Sequence, residues 1–184
     1  MPLTSIDNNA ALVVLDLQVG TAGLPSVPNA LSDIIERSVA LADAFRAKNL
    51  PVIWVNVAGG STARTQAGAG GGELPDNWTE LLPELGVQDS DKKFSKYGHG
   101  TFHDNRFAEL LAELNVGQLV LTGVTTSFAV ESTARGAYER NINVVVVSDA
   151  VGDLDPAVNE NSVEKVLPNV AEIATSTEVL EAIS

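Results

Sequence analysis

Apolar residues fall into two kinds of run along this chain, and the two kinds alternate. Short continuous runs occur at ALVVLDL (11–17), LPVIWVNV (50–57), QLVLTG (118–123) and INVVVVSDA (142–150). Their length and β-branched content are those of strands buried on both faces. Pro51 opens the second run, where a missing N–H is tolerated. Between the runs the apolar spacing changes to three and four, as in Leu31, Ile34, Ile35, Val39, Leu41, Ala42 and Phe45. That spacing predicts an amphipathic helix over 30–48, with Asn29 as its cap. Helices are also expected over 105–116, 127–141, 156–169 and 176–183, and a short last strand over 170–176. Strand–helix alternation of this kind predicts an α/β fold. The expected form is a three-layer, doubly wound (Rossmann-like) parallel sheet of about five to six strands. No repeat or break in the pattern divides the chain, so 1–184 reads as a single domain.

One stretch has no periodicity. Residues 58–77, AGGSTARTQAGAGGGELPDN, are polar and glycine-rich. A loop this long is either a lid or binding loop or simply a surface excursion. It lacks the Lys-Ser/Thr ending of a phosphate-cradling loop and does not join a strand to a helix.

Composition narrows the partners. The 184 residues suffice for one full core, and 24 acidic against 11 basic side chains give a net charge of −13. Such a surface repels phosphate backbones and anionic membranes, so neither nucleic acid nor a membrane is expected as partner. No apolar run is long enough to span a bilayer. The opening MPLTSIDNNA shows no basic stretch followed by a long apolar one, so a cytoplasmic address is expected. The chain holds no cysteine. Disulfides, thiolate metal sites and thiol catalysis are therefore excluded for the chain as it stands.

In doubly wound sheets, ligands bind beyond the carboxyl ends of the strands. The informative polar residues are thus Asp16, Asn56, Thr122 to Thr126 and Asp149. A partly buried carboxylate at Asp16 needs a partner, or its pKa rises. Bonding to loop N–H groups would explain it equally well. Asp149 reads as a brace for the following AVGDLDP loop. The segment 89–107 gathers Lys92, Lys93, Lys96, His99, His103 and Arg106 in an otherwise acidic chain. Most of these suit a solvated surface, although a lysine from this segment could reach Asp16. His99 and His103 have a metal-ligand spacing only on a helix. Gly98 and Gly100 argue against one and no third ligand is evident, so neither a metal site nor a cofactor is expected.

Taken together, these pieces resemble the isochorismatase-like hydrolases, also called the cysteine hydrolase family, over nearly the whole chain. ALVVLDLQ is similar to the family's opening strand, whose catalytic aspartate falls on Asp16. KYGHGTF resembles the lysine segment. Gly100-Thr101-Phe102 fits the triplet four positions after the lysine, which places it at Lys96, with Lys92 as the fallback register. TGVTTSFAVESTARGAY is similar to the nucleophile elbow, whose cysteine position falls on Ala129. The resemblance implies a thiolate at a helix N-terminus that attacks an amide carbonyl, with Asp16 as base and Lys96 holding the charges. It also implies a cis peptide between Val124 and Thr125, and an oxyanion cradle made of the N–H groups of Thr125 and residue 129.

The implied pocket for a small-molecule substrate lies between the ends of the first and fourth strands, under the 58–80 loop. Its candidate residues are Asn56, Trp78, Tyr97, Phe102, His103 and Phe128. Ordinary packing explains Phe102 and Phe128 as well. His99 is a further candidate to orient a carbonyl, and the Thr126 hydroxyl to brace the turn. A homodimer or homotetramer is implied too, with Phe128 and Tyr138 as sensible interface anchors.

The chain departs from the family pattern in two places. WVNVAGG carries Asn56 and no histidine where nicotinamidases bind metal. Ala129 cannot attack anything. The leading expectation is a hydrolase of this family acting on a small amide or C–N substrate, its nucleophile position occupied by an alanine, engineered or natural; the alternatives are a cysteine-free branch using Asp16 as an acid on an ether-like bond and a silent small-molecule binding protein.

Overall fold

The computed structural model describes residues 3–66, 68–69 and 73–183. Its strands, in chain order, are β1 (Ala10–Leu15), β2 (Val52–Val57), β3 (Arg64–Thr65), β4 (Gly68–Ala69), β5 (Lys92–Lys96), β6 (Gln118–Val124), β7 (Asn143–Gly152) and β8 (Glu172–Ala174). The helices are α1 (Leu31–Ala47), α2 (Arg106–Glu113), α3 (Glu131–Tyr138), α4 (Pro156–Asn161) and α5 (Ser176–Ile183). Six strands form one sheet in the order β5-β2-β1-β6-β7-β8, and every neighbouring pair is parallel.

β1 and β6 are buried along their whole length. Side chains alternate across the sheet. Leu12, Val14 and Trp54 pack beneath α1 and α5, alongside Leu41, Phe45 and Val179. Val13, Leu15 and Val55 pack on the other face with Phe107 and Leu111 of α2 and Ala134 and Ala137 of α3. The result is the expected doubly wound, three-layer α/β fold. The chain builds outward from β1 to β2 and β5, then returns to set β6 on the other side of β1. The point where the strand order reverses lies between the carboxyl ends of β1 and β6, where such folds open a crevice.

Three elements differ from the expectation. β5, KKFSK, is an edge strand with only Phe94 and Lys96 buried, so its sequence does not read as apolar. Asn29 does not cap α1. Its amide donates to the carbonyls of Ser148 and Val151, tying the β1–α1 loop to β7, and α1 starts without a side-chain cap. β7 runs on to Gly152, past Asp149. The 58–77 excursion contributes the two-stranded antiparallel ribbon of β3 and β4, and residues 67 and 70–72 lie outside the described residues.

Candidate active site

At the end of β1 the chain turns sharply, and Asp16 takes a left-handed conformation (φ 57°). That region is uncommon for a residue with a side chain, though aspartate is among the more tolerant. The turn is held by the Thr21 hydroxyl, which donates to the Asp16 carbonyl. It is also held by the buried Gln18, whose amide bonds both the N–H and the carbonyl of Val57 and the carbonyl of Trp78.

Across the crevice, the penultimate residue of β6 is Gly123, whose φ is +112°, where a Cβ would lie 2.0 Å from the Leu15 carbonyl oxygen. Only glycine allows β6 to pass so close to β1. The Val124–Thr125 peptide is cis, as the resemblance implies. Next comes one wide π-type turn, Thr126–Val130, which leads into α3.

Lys96, the last residue of β5, reaches under this crevice. Its ammonium lies 2.7 Å from Asp16 Oδ2 and donates to the Gly98 carbonyl at 2.9 Å. Both partners are buried, with side-chain exposures of 1% and 7%. Lys92 is exposed at the start of the same strand, so the first-choice register is the one that reaches the aspartate. Asp16 Oδ1 is buried with no hydrogen-bond partner. Burial raises the Asp16 pKa to about 6, and the neighbouring Lys96 charge and hydrogen bond only partly oppose it.

Asp16, Lys96, Thr125 and Ala129 face one cavity of about 180 Å³. Its walls are apolar (Val57, Val124 and Phe128 among them), and His99 stands at the edge with its ring 4.8 Å from that of Phe128. Ala129 is 2% exposed. A cysteine side chain there would enter the cavity beside Asp16. The N–H of residue 129, expected to be free for an oxyanion, instead donates to the Thr125 carbonyl at 2.9 Å, and the Val130 N–H shares that acceptor. The π-type turn takes up this donor.

Of the six expected pocket residues, the structure brings only Phe128 to the cavity. Side-chain alternation explains two of the others. Val57 faces the cavity, so Asn56 points to the opposite side of β2, where its amide donates to the Thr79 carbonyl. Lys96 faces inward, so Tyr97 is thrown outward, under the Arg106 guanidinium. Trp78 lies against Gly20 and donates to the Val57 carbonyl, one layer behind the cavity. Phe102 is packed between Phe107 and the Arg140 guanidinium, against Gly136. His103 is paired with Asp104 at 2.9 Å. Among the described residues no three His, Asp or Glu side chains converge as a metal site would need. No helix of the described residues is long and apolar enough to cross a membrane.

Asp149 is structural, but not as the brace of the loop that follows it. Its carboxylate accepts from the N–H and hydroxyl of Ser176, at the start of α5, and pairs with Arg37. Loop bracing falls to Asp153, which sequence reasoning passed over. This buried carboxylate accepts from the Ser127 N–H at 2.6 Å and the Leu154 N–H at 2.7 Å, and so joins the elbow turn to the loop after β7. The Thr126 hydroxyl does brace the turn, through Asn159 at 2.6 Å.

Comparison with known proteins agrees with this fold. The family model of the isochorismatase domain matches residues 10–178. The isochorismatase family protein YecD of Escherichia coli O157:H7 is 32% identical over 179 residues, covering 94% of this chain and 95% of its own. The structure of an isochorismatase family protein from Burkholderia thailandensis superposes with a TM-score of 0.91 at 35% identity, over 97% of both chains. That of YcaC from Escherichia coli, described as an octameric hydrolase of unknown specificity, superposes with a TM-score of 0.77 at 25% identity, over 99% of this chain and 83% of its own.

Proposed function

The chain belongs to the isochorismatase family of hydrolases, and on that premise we propose that it hydrolyses a small molecule without a thiol, with Asp16 as general acid and water as nucleophile. One observation carries this reading: a carboxyl group with an unpartnered oxygen and a raised pKa stands in a cavity where the neighbouring elbow residue offers only a methyl group. A carboxyl poised near 6 keeps a useful protonated fraction near neutrality, as acid catalysis needs.

On an enol ether the Asp16 proton goes to the alkene carbon, leaving an oxocarbenium centre stabilised by its oxygen. Water adds to that centre and returns a proton to the Asp16 carboxylate. The hemiketal then breaks its C–O bond to give a carbonyl compound and an alcohol. Lys96 stays paired throughout and stabilises the carboxylate when the proton has left. The engagement of the residue 129 N–H in the turn supports this reading, since no acyl oxyanion has to be cradled.

A second reading is supported by the place of Ala129. A thiol there would sit at the start of α3 and beside Asp16, as an amidase nucleophile requires. The two readings are separated by assaying the chain as it stands and Ala129→Cys on small enol ethers and amides. Enol ether turnover by the alanine chain, untouched by iodoacetamide and declining as pH rises through 6, supports the acid mechanism. Turnover of amides only by the cysteine variant, abolished by iodoacetamide, overturns it in favour of a disabled amidase.

A homo-oligomer is part of the same proposal. YcaC is octameric, and Tyr138 projects from α3 with 57% of its surface exposed.

A further inference from the structure

The cavity has a chemical bias that the family name does not suggest. Its floor is the Asp16–Lys96 pair, with the buried ammonium turned to Asp16 Oδ2 and the Gly98 carbonyl. Among the described residues no other lysine or arginine lines it. Around the mouth stand three large apolar side chains from three separate segments: Leu24 from the β1–α1 loop, Phe128 from the elbow turn and Leu154 from the loop after β7. Each keeps more than two-fifths of its surface in water.

Exposed apolar side chains scattered singly need no explanation, but three converging on the rim of one cavity do. A carboxylate entering here would lose hydration and meet no ammonium or guanidinium that is not already bonded within the protein, whereas an apolar group would gain by leaving water.

We propose that this site selects small uncharged substrates, with Leu24, Phe128 and Leu154 holding an apolar substituent at the mouth, and that it discriminates against carboxylates. Isochorismate, a dicarboxylate, is then a poor substrate for this member of the family. The proposal rests on the cavity being the hydrolytic site. Asp153 gives the rim its rigidity, because the same carboxylate fixes the backbone before Phe128 and at Leu154.

The test uses two probes of one shape. 4-Methylpentanamide ends in an isopropyl group and succinamate in a carboxylate. Each is titrated into the full chain while the methyl signals of Leu24 and Leu154 and the ring signals of Phe128 are followed by NMR. The expected result is saturable shifts of all three residues with 4-methylpentanamide, and at least tenfold weaker binding of succinamate. Leu154→Lys, a change at an exposed position, is expected to narrow or reverse that ratio. Equal or tighter binding of succinamate by the unaltered chain overturns the proposal. So does the absence of shifts at the rim with either probe, as when a second copy covers it.

Turnover is scored separately on enol ethers with neutral and carboxylate substituents. Selective binding of the neutral amide without any turnover sinks the hydrolase reading and leaves the selectivity standing. Turnover that favours the carboxylate substrates does the reverse.

Discussion

Two buried carboxylates in this protein sit at nearly the same distance from a cation, and their chemistry is opposite. Asp91 lies 2.6 Å from the Arg46 guanidinium, and Asp16 lies 2.7 Å from the Lys96 ammonium. Burial pushes Asp91 upward too, but it accepts hydrogen bonds from Arg46, the Gln88 N–H and the Trp54 indole, and the net effect holds it below the usual carboxylate range. Asp16 has one oxygen on Lys96 and the other on nothing, and it rises to about 6. The ion pair alone therefore does not decide the proton affinity. Depth of burial, greater at Asp16, and the number of donors meeting the charged form, greater at Asp91, decide it together. Arg46 also offers a planar fork that can meet both oxygens of Asp91, whereas Lys96 delivers a point charge to one. Asp91 is built to stay ionised and hold α1, β2 and the loop before β5 together. In the proposed reaction Asp16 is the group that exchanges a proton.

The largest expected effect comes from removing that proton. Asp16→Asn should lower hydrolysis by about 10²–10⁴-fold, the usual contribution of a positioned acid, measured as kcat/KM on the best enol ether. The same change should alter stability against pH in a defined direction. Folded Asp16 holds its proton to about 6, against an ordinary value of 3.8. Between those values the folded state binds more protons than the unfolded chain, so stability falls as pH rises through this window. Chemical denaturation at several pH values should show that decline in the parent chain and a flatter profile in Asp16→Asn.

Asp91→Asn should do the converse. Breaking the pair should cost about 3 kcal/mol of stability near neutrality, while the pH dependence of activity stays in place. Because its pKa is depressed, the contribution of Asp91 is present above the ordinary carboxylate range and is lost as pH falls through its folded value. An activity profile that moves with Asp91→Asn would remove the distinction between the two carboxylates.

The smallest effect sharpens the contrast. Lys96→Met removes the charge that restrains Asp16, so the alkaline limb of activity should move up by about one pH unit or more. Thermal unfolding of this variant should recover towards the parent in acid, where Asp16 becomes neutral and no longer needs a partner. A limb that stays in place would mean that Lys96 does not face the titrating group.

The same two carboxylates show what was legible in the sequence. Asp16 stood out because it closes an apolar strand, and strands β1, β2, β6 and β7 were readable from their continuous apolar runs. Lys96 was readable only through resemblance. Its strand, KKFSK, is an edge with two buried positions, too few to give a pattern. Asn56 and Tyr97 were expected in the pocket and face away from it, because side-chain alternation is invisible until the inward residue of each strand is known. Asp153 looked like one more loop acid. Only the tertiary fold shows that its two oxygens join turns 26 residues apart.

The most direct measurement is the carboxyl ¹³C titration of Asp16 by NMR, with Asp91 as internal reference in the same sample. A midpoint near 6 for Asp16, with Asp91 below the ordinary carboxylate range, is the predicted result. A midpoint for Asp16 at or below 4 would show a permanently ionised group, and Asp16 could then not be the acid of this site.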